Sequence, residues 1–204
     1  MALINQATKE LHVKIVYYGP AKSGKTTNLE QVHAHVETAR PEEKGKLVSL
    51  STSSDRTLFF DFFPLEATVI KGFTTKFQLF TVPGQVIYNT TRQLVLRGVD
   101  GIVFVADSQY DKMEENVESF RNLQENLKSL NLNLDEIPYI IQYNKRDLGQ
   151  IADVSFLEYL LNNREVHVPF YEAAATKVEG VFETLNGITR LLLQKFIQQG
   201  TRNA

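Results

Sequence analysis

At 204 residues and a net charge of −2, the chain can bury one sizeable core and lacks the basic excess of a nucleic-acid binder. Its 43% hydrophobic and 23% charged residues are those of a globular protein, and the absence of cysteine excludes disulfides, thiolate metal sites and cysteine nucleophiles. No apolar run approaches the roughly 18 residues of a membrane span. Ala2 and the closing Thr201-Arg202-Asn203-Ala204 carry neither a myristoylation nor a prenylation signal, so a cytoplasmic location without a lipid anchor is expected.

Residues 11–18 (LHVKIVYY) are β-branched and aromatic and stop at Gly19-Pro20, which predicts a strand ending in a turn. Residues 25–35 read as a helix. Residues 58–64 and 73–82 read as two strands with a short connection at 66–72, consistent with an antiparallel hairpin. The runs 101–107 (GIVFVAD) and 138–144 (PYIIQYN) are nearly continuous apolar stretches, as strands buried on both faces are, and 114–130 between them has a helical period. Helices follow at 154–161 and 178–198, with a short strand near 168–173. This alternation predicts an α/β fold: a mostly parallel central sheet with one antiparallel edge strand, helices on both faces, and residues 1–204 in one domain. Ligands of such sheets sit beyond the carboxyl ends of the strands.

Three motifs fall at those ends. Gly19-Pro20-Ala21-Lys22-Ser23-Gly24-Lys25-Thr26 fits the phosphate-loop pattern and lies between a predicted strand and a predicted helix, as that pattern requires. Its glycines let backbone N–H groups turn around a β-phosphate, and the helix N-terminus adds positive potential. Lys25 then bridges β- and γ-phosphates and the Thr26 hydroxyl ligates Mg²⁺. Asn144-Lys145-Arg146-Asp147 follows a buried strand: Asp147 can accept from guanine N1–H and the exocyclic amine, a pair adenine does not offer, so the mismatch with adenine is costly. Asn144 can bind the base edge and tie back to the phosphate loop, while the Lys145 stem lies along the ring. In Thr81-Val82-Pro83-Gly84-Gln85, the Gly84 N–H suits a γ-phosphate and Gln85 suits the attacking water.

With these motifs in place the chain resembles the Ras-like small GTPases of the P-loop NTPase class. Asp55-Arg56-Thr57-Leu58-Phe59-Phe60-Asp61-Phe62, Gly98-Val99-Asp100-Gly101, Val105-Ala106-Asp107-Ser108 and Gln142-Tyr143-Asn144-Lys145-Arg146-Asp147 narrow the resemblance to the MglA family of bacterial cell polarity and gliding motility. The resemblance implies a GTP/GDP switch with Mg²⁺, recruitment to a cell pole, polarity or motility effectors, and a homodimeric Roadblock-fold MglB-like activating protein. It assigns Thr57 as a Mg²⁺ ligand and γ-phosphate sensor, Arg56 as an arginine finger supplied in cis, and the Ala175 N–H as the group meeting the guanine oxygen. Ser23 and Thr27 complete the phosphate-binding set. Two positions depart from the wider Ras-like pattern. Thr81 stands where an aspartate usually holds Mg²⁺ through water, which is also the habit of the MglA family, and Ala21 adds a methyl beside the hydrolytic site.

Other residues read as ordinary structure. Asp107 reads as a strand-end cap, His33 and His35 as surface histidines, and Asp111, Glu114, Glu115 and Glu118 as charges complementing a helix dipole. The competing function is a module that holds GTP constitutively with negligible hydrolysis. An ATP-using P-loop enzyme is opposed by Asn144 to Asp147. In 58–63, LFFDFF, both faces of the strand are apolar, so a one-residue slip is cheap and a register shift between nucleotide states is expected.

Overall fold

The computed structural model describes residues 3–5, 7–39, 48–52, 56–70, 72–85, 88–164 and 167–202, with backbone alone for 3–5, 36–39, 48–52, 56–70, 73 and 199–202. The strands are β1 (Leu3–Asn5), β2 (Glu10–Tyr18), β3 (Val48–Thr52), β4 (Arg56–Ile70), β5 (Phe73–Thr81), β6 (Gly101–Asp107), β7 (Tyr139–Asn144) and β8 (Phe170–Glu172). The helices are α1 (Lys25–Ala39), α2 (Asn89–Leu96), α3 (Met113–Ser129), α4 (Val154–Leu161) and α5 (Val181–Arg202).

All strands join one sheet in the order β3-β4-β5-β2-β6-β7-β8, with β1 antiparallel to the start of β2. The five strands from β5 to β8 in that order run parallel. Alternate residues of β2 feed opposite faces, as the pleat requires. Val13, Ile15 and Tyr17 pack with Leu29 and Val32 of α1 and Val181, Leu185 and Ile188 of α5. Val16 and Tyr18 pack with Leu96 of α2, Leu123 and Leu127 of α3 and Leu157 of α4. Every residue of β6 is buried, which accounts for its unbroken apolar sequence.

The far side of the sheet differs from the expectation of one antiparallel edge strand. β4 is antiparallel to β5 but is not the edge, because β3 pairs antiparallel outside it. β3 falls among residues for which the sequence predicts no strand. Its run VSLST has a ladder on one side only, and its apolar alternation, Val48 and Leu50, is too short to mark a strand. β4 is also longer than residues 58–64. Its last pair with β3 is Phe62, and Pro64, which has no N–H to give, sits just beyond. The strand expected to slip is in register with β5 at Phe62↔Phe80 and Phe63↔Leu79, with irregularities between Ala67 and Val69 and, against β3, between Ser49 and Ser51.

Glu10 ties β2 to β5: Lys76 lies 2.7 Å from its carboxylate and His12 lies 3.1 Å away, and together they hold the carboxyl down at about 2. A carboxyl held below its unfolded value of 4.5 stabilises the fold above that pH, and the contribution fades as pH falls toward 2. Glu10→Gln is therefore expected to lose less melting temperature than the parent between pH 5 and pH 3, read by thermal denaturation. Equal losses would mean the pair contributes nothing. The pair is solvated, so the difference will be small.

Candidate functional site

The carboxyl end of β2 delivers residues 19–24 as a loop, and α1 begins at Lys25. Lys22 (φ 61) and Gly24 (φ 100) take left-handed backbone, which turns successive N–H groups inward as an anion-binding concavity. The 15-residue α1 points its N-terminal backbone N–H groups and the positive end of its dipole to the same place. Lys25 is buried, and its ammonium donates to the carbonyls of Gly19 at 3.0 Å and Pro20 at 2.6 Å. Ser23 is fully buried, Thr26 and Thr27 are half-buried in the first turn of α1, and Lys22 is exposed.

Asn144, at the end of β7, closes the loop from above. Its Nδ2 donates to Ser23 O at 2.7 Å, and its Oδ1 accepts from Ala175 N at 3.0 Å. A Cβ on Gly24 would overlap Asn144 Nδ2, so only glycine permits this approach. The Ala175 N–H, expected to face a guanine oxygen, donates here to Asn144 Oδ1. Lys145 (φ 67) places its ammonium 2.6 Å from Asp107 Oδ2 and 3.3 Å from Gln109 Oε1. Asp107 does cap the strand end, accepting from Gln109 N at 3.1 Å, but it also anchors Lys145, a role its sequence context does not reveal. The Asp147 side chain is 15% exposed, with Lys177 Nζ 3.8 Å away. Arg146 staples the segment to Glu172 at 2.8 Å and to Ala152 O at 2.7 Å.

The third motif comes up against the first. A Cβ on Gly84 would stand 2.7 Å from Ala21 N and overlap its Cα, so the two loops touch through their backbones. A cavity of about 310 Å³ lies between Pro20, Ala21, Gly84, Gln85, Glu118 and Ser119. Asp55 lies outside the described residues, and Arg56 and Thr57 are described by backbone alone, paired with Thr52 and Ser51 of β3. Because β4 runs against β5, these two residues start their strand at the same end of the sheet where β2 and β5 finish.

Sequence reasoning missed two buried polar groups beneath the site. Asn28 and Gln142 exchange a pair of 2.9 Å hydrogen bonds, and Gln142 also donates to Thr184 at 2.9 Å, joining α1, β7 and α5. Arg92 is fully buried in α2, a helix the sequence did not suggest. It donates to Pro83 O at 2.8 Å, Gly84 O at 2.6 Å and Asn122 Oδ1 at 2.5 Å. Burial pushes the Tyr18 phenol upward, against the pull of nearby Arg92, so the hydroxyl stays neutral and gives its proton to Asn122 Oδ1 at 2.7 Å.

No group of three His, Asp or Glu suited to a metal occurs among the described residues, and Thr81 is fully buried. The oxygen donors expected at a cation are the hydroxyls of Thr26, in the first turn of α1, and of Thr57, a residue described by backbone alone. Such hard donors suit Mg²⁺, which keeps most of its other positions for water and phosphate. His33 is half-buried, and His35 packs its ring 4.6 Å from Phe182.

A Ras family model matches residues 48–194, so the phosphate loop, outside that span, stands on its own motif and geometry. The chain is 50% identical over 200 residues to "Mutual gliding-motility protein MglA" of Myxococcus xanthus, covering 98% of this chain and 100% of that protein. It is 27% identical over 180 residues to "Uncharacterized protein MJ1339" of Methanocaldococcus jannaschii, covering 88% and 97%.

Proposed function

The chain belongs to the Ras family and is a small GTPase, and from that premise we propose that it is a GTP/GDP switch of gliding motility and cell polarity, built as one GTPase domain over its whole length. The observation that carries the site is Asn144. One side chain bonds Ser23 O in the phosphate loop and Ala175 N in the base loop, so the two halves of a nucleotide site are held as a unit. Gly19, Ala21, Lys22, Ser23, Gly24, Lys25, Thr26 and Thr27 cradle the phosphates, and Lys25 neutralises charge on them. Asp147 accepts from the guanine edge, Lys145 lies along the ring, and Ala175 N–H shares its proton with the guanine oxygen.

Thr26 and Thr57 would hold Mg²⁺, which would supply positive charge to the phosphates. Gly84 N–H meets the γ-phosphate, Gln85 orients the attacking water, and Arg56 stabilises the charge that develops on transfer. A homodimeric Roadblock-fold MglB-like protein acts as activator. The relative named for gliding motility supports the biological assignment. No helix of the described residues is long and apolar enough to cross a membrane. A cytoplasmic protein brought to a pole by its partners fits that.

Guanine selectivity tests the site directly. GTP should displace a fluorescent GDP analogue while ATP does not, and Asp147→Asn should weaken GTP binding by about 1.5–3 kcal/mol, the range for hydrogen bonds to a charged group. Equal competition by ATP in the parent protein would remove Asp147 from this role.

A further inference from the structure

Among the described residues, Arg92 is a charged side chain with no exposure to solvent. It is fully buried, yet the partners it reaches are neutral: Pro83 O, Gly84 O, Asn122 Oδ1 and, at 3.4 Å, the Tyr18 hydroxyl. A guanidinium does not shed its proton to escape burial, and it presents a planar fork of donors. Placing such a group inside the protein is costly unless its bonds are well made. Here the fork grips two successive main-chain carbonyls.

We propose that Arg92 is a positioning residue that aims the backbone N–H groups of Gly84 and Gln85 for the γ-phosphate. This rests on the roles given above to Gly84 and Gln85. The peptide bond is planar, and none of the described peptides is cis. A carbonyl held in one direction therefore points the next residue's N–H the opposite way. Nε fixes Pro83 O at 2.8 Å and so orients Gly84 N–H; Nη2 fixes Gly84 O at 2.6 Å and so orients Gln85 N–H. One side chain sets two consecutive peptide planes, and Gly84 lies directly against Ala21 of the phosphate loop.

Arg92 is itself held. Asn122 Oδ1 accepts from Arg92 and from Tyr18, and Asn122 Nδ2 donates to Asn89 Oδ1 at 3.1 Å. Asn126 donates to the Tyr18 hydroxyl at 3.0 Å and to Asn89 Oδ1 at 2.7 Å. The guanidinium also lies 5.2 Å over the Tyr18 ring. These bonds tie α2 and α3 to the end of β2, so the carbonyl grip is referred to the same strand that delivers the phosphate loop.

The test compares Arg92→Lys, Arg92→Gln and Asn122→Ala with the parent in the full chain. Affinities for GDP and for a non-hydrolysable GTP analogue are measured, with single-turnover GTP hydrolysis and thermal melting. GDP does not reach Gly84 N–H. The proposal expects GDP affinity to stay within about two-fold, while analogue affinity falls about 10- to 100-fold in both arginine variants, the range for a lost hydrogen bond to charge. Asn122→Ala should move the same ratio by less, because it leaves both carbonyl bonds in place. Equal loss of both affinities, or unchanged analogue affinity in Arg92→Gln, would overturn the proposal and leave Arg92 as a packing residue. Should Arg92→Gln not fold, the ratio in Asn122→Ala and Arg92→Lys decides, an unchanged value in both overturning it. Gln85→Leu is run alongside: normal hydrolysis there would sink the role of Gln85, whereas the analogue-to-GDP ratio reports on Arg92 alone.

Discussion

Gln85→Leu and Arg56→Ala are each expected to bind nucleotide nearly as the parent does and to lose about 10³–10⁵-fold of partner-stimulated GTP hydrolysis, the range an arginine finger commands. The reason lies in when each group acts. In the roles proposed for them, neither would hold the base or the β-phosphate in the ground state, so binding would be spared; both would act where charge and geometry change on phosphoryl transfer. Gln85 lines the same cavity as Pro20 and Ala21 of the phosphate loop. Arg56 starts β4, outside the part of that strand paired with β5. Hydrolysis without a partner should accordingly be slow. Single-turnover assays with and without a Roadblock-type partner measure both effects. If Arg56→Ala were still fully stimulated, the finger would have to come from the partner.

Asn144→Ala should lower nucleotide affinity by about 10²–10³-fold. The substitution strands Ser23 O and Ala175 N–H, and each buried group left without its partner costs roughly 1–3 kcal/mol. Part of that loss will surface as a lower melting temperature, because the clamp joins two loops of the protein itself. Asn144→Asp keeps the acceptor for Ala175 but faces the Ser23 carbonyl with an acceptor instead of a donor. It separates the two bonds. Dissociation of a fluorescent GDP analogue reads both variants, and a parent-like rate in Asn144→Ala would show that the clamp does not shape the site.

The parts of the fold visible in the sequence are those whose cause is local. β6 and α4 begin and end where their sequences predict, because an apolar run or a short amphipathic period is bounded there by polar turns. The phosphate loop and the segment from Asn144 to Asp147 were legible because backbone chemistry fixes residue type at fixed spacing. α2 was not legible. Asn89–Leu96 has no side-chain cap at Tyr88 and no acidic residue in its first turn, and its apolar residues fall together at Leu94, Val95 and Leu96. Its central buried residue is a charged one, Arg92, held by tertiary bonds that sequence alone cannot display. The same holds for Asn122 and Asn126, which look like a solvated face of α3 until Tyr18 and Arg92 are brought against them. β3 escaped because its order depends on β4 alone.

Among the described residues, β4 meets β5 only from Phe62 onward, whereas residues 56–61 are paired through β3 at Asp61, Thr57 and Arg56. Six residues of strand reach roughly 20 Å. Residues 56–61 thus form an overhang whose strand pairing is to β3 and not to the parallel sheet. A movement of these residues would break no hydrogen bond of the five parallel strands, so the proposed switch would not draw its work from the stability of the fold. Wear and tuning separate accordingly. Substitutions at the buried apolar positions of β2, β6 and β7 are expected to act first on the fold, and substitutions in residues 56–61 first on the proposed cycle.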